Sequence, residues 1–205
     1  GTFSVFALGF IDKSWDVELD ITDIHSIYDA SDQAGKLYNA VAGASHKIHF
    51  DNKWTWRTTV AYNMQHNKVD MEYWGLIFDA NHKPTAFEGK NYPFSYLKQN
   101  EDRVVFNTEL SKHITPRWLL QFGGEYSHRF FDLNFRTAEN VYEPVSDKPY
   151  YATKDNTGLA NIFWSNLWKP TDNLSINFGL SGNYFLLSKD FSIEPRASVK
   201  WEPGK

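Results

Sequence analysis

A strict period of two near the end of the chain constrains it more than any other feature. From Leu174, the residues Leu174, Ile176, Phe178, Leu180 and Tyr184 alternate with Ser175, Asn177, Gly179, Ser181 and Asn183. The next run repeats the pattern, with Ile193, Pro195, Ala197, Val199 and Trp201 set against Ser192, Glu194, Arg196, Ser198 and Lys200. Successive side chains of a strand point to opposite faces, so a period of two means one apolar face and one polar face. With Leu159–Trp168, where Ala160, Ile162, Trp164 and Trp168 share a face, this makes three consecutive strands of membrane type. A half-buried strand of a soluble sandwich has the same period, so composition and connections must separate the two.

Aromatic residues make up 17% of the 205 residues (8 Trp, 11 Tyr, 16 Phe), yet charged residues reach 22%. Mean hydropathy is −0.53. No run of eighteen apolar residues exists, which excludes a transmembrane helix. Rich aromatics at low average hydropathy suit an outer-membrane barrel, whose lipid face is apolar and whose lumen is polar. A net charge of −4 gives no electrostatic case for nucleic acid. The absence of cysteine removes disulfides and thiolate metal sites. Gly1–Phe10 lacks the basic region and cleavage site of a signal peptide and reads as a strand already under way. With the turn at Pro203-Gly204-Lys205, the expectation is a fragment of a longer chain or a mature domain trimmed at both ends.

The remaining strands follow in order. Thr2–Phe10 is the first, and its facing is open: either Phe3, Val5 and Ala7 or Ser4, Phe6, Leu8 and Phe10 point outward. Leu37–Phe50 places Tyr38, Ala40, Ala42, Ala44, Ile48 and Phe50 on one face. After Asp51-Asn52-Lys53, Trp54–Gln65 alternates Trp54, Trp56, Val60, Tyr62 and Met64 with Thr55, Arg57, Thr59, Asn63 and Gln65, completing a hairpin. Arg103–Ile114 sets Val104, Phe106, Thr108 and Leu110 against Asn107, Glu109, Ser111 and His113. Trp118–Phe131 sets Trp118, Leu120, Phe122 and Tyr126 against Gln121, Gly123, Glu125, Ser127 and Arg129. The paired glycines Gly123-Gly124 inside that strand mark a bend or a close approach.

The connections separate the two classes. Tight turns near 51–53, 115–116 and 170–173 alternate with long connections near 11–35, 67–98 and 132–155; only the last hairpin, around Ser188–Asp190, has a short link on the long-loop side. Short turns at one end and long loops at the other are characteristic of bacterial outer-membrane barrels. Phe50, Trp54, Trp118, Trp168 and Trp201 bracket the turns, where an interfacial aromatic girdle would lie. The expected fold is therefore all-β: antiparallel, up-and-down transmembrane strands, about eight in four hairpins, in one domain over residues 1–205.

Sites of chemistry are sparse. His46 and His49 stand three apart, which puts them on opposite faces of a strand, and the other histidines (His25, His66, His82, His113 and His128) are scattered, so no metal site is expected. In the acidic connection, Asp16, Glu18, Asp20 and Asp23 could offer oxygen ligands to calcium, but the glycine and closing Glu of an EF-hand loop are missing, and a solvated loop is the better reading. Glu109, Glu125 and Glu194 share the polar face with Arg57, Arg129, Arg196 and Lys200, as the charges of a lumen wall would. No nucleophile-elbow, Walker or dinucleotide pattern is present, so neither an enzyme nor a cofactor is expected. The candidate ligand-binding residues are aromatics of the 67–98 connection: Tyr73, Trp74, Phe78, Tyr92 and Tyr96. Such rings stack on a sugar, a chelate or a peptide, or else pack on one another as a lid.

A family resemblance rests on three stretches. Asn156-Thr-Gly-Leu-Ala-Asn-Ile-Phe, Trp168-Lys-Pro-Thr-Asp-Asn-Leu-Ser-Ile-Asn-Phe-Gly-Leu, and Ser192-Ile-Glu-Pro-Arg-Ala-Ser-Val-Lys-Trp together resemble the barrel of TonB-dependent outer-membrane receptors, the last being the most specific. The likeness covers most of the chain as a hairpin pattern and about Asn156 to Pro203 as near-motif. It implies an internal slice of a barrel of about twenty-two strands that normally encloses an N-terminal plug. It also implies a periplasmic energy-coupling partner of TonB type and uptake of a scarce small molecule, such as a metal chelate or glycan, across the outer membrane of a Gram-negative bacterium. Neither a plug nor a TonB-box segment is seen, so the slice is not expected to transport alone, since open sheet edges do not survive in lipid. The alternatives are a complete eight-stranded outer-membrane barrel for adhesion, binding or anchoring, and a soluble β-sandwich or lipocalin-like binding protein. An eight-stranded barrel has its interior filled by side chains, whereas Gly123, Ser127, Ser175, Gly179 and Ser198 are small.

Overall fold

A computed structural model describes residues 1–14, 19–50, 53–140 and 143–203. Eight strands form one sheet: β1 (Thr2–Ser14), β2 (Ser31–Phe50), β3 (Trp54–Phe78), β4 (Pro84–Thr115), β5 (Trp118–Thr137), β6 (Tyr151–Thr171), β7 (Leu174–Phe185) and β8 (Asp190–Trp201). Each is antiparallel to the next in sequence, in the order β1 to β8, and β1 and β8 are the two unpaired edges. The sheet is an open up-and-down meander. Nothing but a 3-10 turn at Ile21–Asp23 interrupts the all-β character among the described residues.

Register fixes which residues share a face, because directly opposed residues of antiparallel strands lie on the same side. Ala44 faces Val60, Val60 faces Phe106, Phe106 faces Tyr126, Tyr126 faces Ala160, Ala160 faces Tyr184 and Tyr184 faces Phe191. One unbroken apolar row therefore crosses seven strands. Val5 is paired with Ala44, so Phe3, Val5, Ala7, Gly9 and Ile11 belong to this face. That settles the facing of the first strand and places Phe6, Leu8 and Phe10 on the otherwise polar side. The ring of Phe6 lies over Gly43, where a Cβ would come within 2.5 Å of it.

Of the long connections expected at 67–98, 11–35 and 132–155, the first is largely strand and the other two are strand at their ends only. β3 and β4 pair through the 67–98 stretch and leave a turn at 79–83, while the other two links shrink to 15–30 and 138–150. Polar and aromatic composition there reads as loop, yet the backbone N–H and C=O groups still find ladder partners, and pairing continues through register shifts at Met71/Glu72, Trp74/Leu76 and Ile77/Phe78. Gly89, at φ +82, accommodates the second irregularity. In the 79–83 turn the Asp79 carboxylate accepts from the amides of Asn81 and Lys83 at 2.9 Å each. Of the expected tight turns, Pro116-Arg117 and Asp172-Asn173 join their strands directly. Asp51 and Asn52 of the third lie outside the described residues, as do Asp16, Glu18, Tyr142, Gly204 and Lys205.

No large core exists among the described residues. The buried hydrophobics are Ile24, Ala30, Tyr73, Leu76 and Ala138. Accessible surface is 14236 Å², against the roughly 9,900 Å² that a compact monomer of 23.8 kDa would expose. The excess is the uncovered sheet.

Candidate functional site

The apolar face is the first candidate functional surface. Six of the eight tryptophans (Trp54, Trp56, Trp118, Trp164, Trp168 and Trp201) lie on it, toward the tight-turn end. Two of their indole N–H groups are satisfied sideways: Trp56 Nε1 donates to Thr108 Oγ1 at 2.8 Å and Trp118 Nε1 to Asn166 Oδ1 at 3.1 Å. Lys112 Nζ lies 4.5 Å from the centroid of the Trp54 ring, a cation held against the aromatic row. The other border is marked by hydroxyls and ionisable groups. Tyr62 Oη donates to Asp102 at 2.6 Å, the same carboxylate lies 3.2 Å from His66, and Tyr126 Oη is 2.9 Å from His128 Nδ1. Between the borders the residues are aliphatic, aromatic, small or hydroxyl-bearing, apart from His46 of β2, and Val60, Phe106, Phe122, Ile162 and Leu180 are exposed.

The band's height follows from strand geometry. On β5 it runs from Trp118 to the His128 border, ten residue steps or about 33 Å along the strand, which projects to about 23 Å when the strand is tilted by about 45°. That is close to the height of about 25 Å of the apolar band of a membrane barrel.

The opposite face carries the charged and amide side chains, hydrogen-bonded across strands, with Phe6, Leu8, Phe10, Val41, Val105 and Phe163 among them. Asn161 Nδ2 donates to Ser181 Oγ at 2.8 Å and to Asn183 Oδ1 at 2.7 Å; Asn183 Nδ2 donates to Glu194 at 2.9 Å, and Arg196 reaches the same carboxylate at 2.8 Å. Gln121 donates to Glu109 at 3.0 Å, and Arg129 pairs with Glu101 at 3.1 Å. Glu109 faces Arg57 across the β3–β4 ladder, while Lys200 pairs with Glu202 beyond the strand end. The two faces thus separate along the alternation in the sequence.

The five aromatics singled out in the 67–98 stretch do not form one platform. Tyr73 is buried between Tyr28 and Phe94, with ring centroids at 6.2 and 4.9 Å. Trp74 packs edge-on to Phe87 at 5.7 Å, beside a small core of Ile24, Ala30 and Leu76. That core belongs to the 19–30 segment, which Asp29 organises by accepting from the amides of His25 (3.1 Å) and Ser26 (2.8 Å) and from the Ser26 hydroxyl. These three bonds, the His25 amide foremost, hold the Asp29 carboxyl below its ordinary value. Phe78 stays exposed at the hairpin tip, and Tyr92 Oη donates to Glu88 at 2.8 Å. Tyr96 lies elsewhere, between Lys68 (5.2 Å) and Arg136 (4.5 Å), on an open cleft of about 550 Å³ shared with Asp32, Asp70 and Glu72. The small core escaped sequence reading because Ile21, Ile24 and Ile27, three apart, stand among acidic residues without a period of two.

His46 and His49 fall on opposite faces of β2, and His49 Nδ1 meets Thr55 Oγ1 at 2.9 Å. Among the described residues no three His, Asp or Glu side chains converge as metal ligands would. Of the acidic candidates that are described, Asp20 caps the 3-10 turn through Thr22, and Asp23 lies within that turn. Comparison with protein-family models and with curated proteins finds no match.

Proposed function

We propose that this chain is a wall segment of a larger outer-membrane β-barrel of the TonB-dependent receptor kind, acting in the uptake of a scarce nutrient such as a metal chelate or glycan. The carrying observation is the two-faced open sheet. A continuous apolar band faces one side, bounded by tryptophans at one border and by tyrosines and ionisable groups at the other, and a hydrogen-bonded polar surface faces the other. Such a band is costly in water and favourable in lipid, where the fully paired backbone of a closed barrel is tolerated. The unpaired edges of β1 and β8 require further strands of the same barrel, and this favours a slice over a complete eight-stranded barrel.

On this reading the protein lies in the outer membrane of a Gram-negative bacterium. The polar face lines the passage, where Glu101, Glu109, Glu194, Arg129 and Arg196 would meet a plug and a passing polar solute. The hairpin of β3 and β4 projects beyond the membrane, with Phe78 at its tip. An energy-coupling protein of TonB type is the expected partner of the whole receptor. No catalytic step belongs to this reading.

The test is far-UV circular dichroism and sedimentation with and without detergent micelles. β-Structure that requires micelles is the expected result. A monodisperse β-protein in plain buffer would sink the proposal in favour of a soluble sandwich or lipocalin-like protein.

A further inference from the structure

Four lysines stand side by side across four strands. Lys13 of β1 is directly opposite Lys36 of β2, Lys36 opposite Lys68 of β3, and Lys68 opposite Lys98 of β4. Neighbouring strands are about 4.8 Å apart, and like charges directly opposed in a sheet destabilise it. The protein offsets part of this repulsion: Lys68 pairs with Asp70 at 3.1 Å and Lys98 with Asp132 at 2.9 Å. Lys36 makes no ion pair among the described residues and is exposed. Within the row Lys36 is thus an exposed cation open to an anion from outside.

Its position says which anions. The lysines share the face of the apolar band and follow immediately on Ile11 and Tyr38 at its border. From Phe50, at the tight-turn end of β2, to Lys36 is fourteen residue steps, about 46 Å along the strand and about 33 Å in projection at a tilt of about 45°. The hydrocarbon core is about 30 Å thick, so the ammonium groups reach the headgroups of the far leaflet. A ladder row slants when its strands tilt, which staggers the four groups through about 10 Å, comparable with the headgroup layer. Next along the same face is the cleft lined by Tyr96 and Arg136 together with Asp32, Asp70, Glu72 and Asn91. Carboxylates, an amide and an aromatic ring suit sugar hydroxyls and a sugar face, and the lysines suit phosphates.

We propose that the lysine row and the adjoining cleft form a binding surface for a phosphate-bearing glycolipid of the outer leaflet, the row taking the phosphates and the cleft the sugar. This rests on the membrane reading above. Each basic residue near an anionic lipid surface contributes a factor of about five in affinity.

The full chain is folded into phosphatidylcholine vesicles with and without a bisphosphorylated glucosamine-disaccharide lipid, and the glycolipid retained per chain after mild detergent extraction is measured by titration. The expected result is that the triple variant Lys36→Gln, Lys68→Gln, Lys98→Gln retains it at least ten-fold more weakly. The polar-face control Lys47→Gln, Lys200→Gln should match the original chain, and the dephosphorylated lipid should not be retained. Should the triple variant not insert, Lys36→Gln alone, which breaks no ion pair among the described residues, should weaken retention about five-fold. Unchanged retention in these variants, or equal retention of the dephosphorylated lipid, overturns the glycolipid site while leaving the membrane reading intact. Failure of the original chain to form β-structure in either micelles or vesicles, where copies of the chain can pair their open edges, overturns both.

Discussion

At the scale of single residues, close backbone approach decides which small side chains are required. A Cβ at Gly179 would overlap the carbonyl oxygen of Trp164, which as ladder backbone cannot move aside, and would lie 3.1 Å from the Ser165 Cα. At Gly182, on the same strand, the nearest atom is the Phe191 ring at 3.4 Å, an ordinary contact. Gly179→Ala is therefore expected to lower stability by about 1–3 kcal/mol, and Gly182→Ala by less than about 1 kcal/mol, from urea midpoints in micelles. Equal effects would show that the sheet relaxes around the added methyl. The expectation that Gly123-Gly124 marks a close approach agrees with the geometry, since a Cβ at Gly123 would meet the Phe163 ring and would lie 2.8 Å from the Thr108 carbonyl oxygen. What Gly123 approaches was not legible, because Phe163 and Thr108 reach it from neighbouring strands through a register that no local pattern encodes.

At the scale of elements, the sequence marks the alternating, banded parts of the strands and under-reads their extensions. β3 and β4 run for 25 and 32 residues, far beyond the 9–11 that cross a bilayer. Past the band, cross-strand pairing no longer needs an apolar face, so the alternation fades while the ladder persists. The 19–30 segment caps this extension, and its order depends on the Asp29 carboxylate. Because hydrogen bonds from His25 and Ser26 lower the carboxyl pKa below 3.8, the ionised form is the one that folding favours. Its contribution is complete above the ordinary value and is lost as pH falls through the lowered one. Amide exchange protection of residues 24–30, normalised for intrinsic exchange, should hold from neutral pH to about 5 and fall below about 4. Asp29→Asn, which cannot ionise, should weaken protection at neutral pH and blunt the acid dependence. A profile identical to that of the original chain would remove Asp29 from this role.

At the scale of the whole molecule, the distribution of exposed apolar surface is the main fact. Ile162 sits in mid-band with 68% of its surface exposed. If lipid covers it, Ile162→Arg should cost about 2–4 kcal/mol of folding stability in vesicles, the range for a cation at the bilayer midplane. Ser198→Arg, on the opposite face, should cost far less; unfolding by urea from phosphatidylcholine vesicles compares them. The reverse ranking would mean that the polar face meets the lipid.

The sequence by itself determined the period of two, the separation of apolar from polar faces, the tight turns near 115–116 and 170–173 and the tryptophan border, because each depends on neighbours a few residues apart. Only the tertiary structure decided the facing of β1, the burial of Tyr73, the separation of Tyr96 from the other aromatics and the alignment of Lys13, Lys36, Lys68 and Lys98. Those lysines lie 23, 32 and 30 positions apart in sequence. Strand register brings them into one row, and register depends on turn lengths, bulges and the pairing of whole strands.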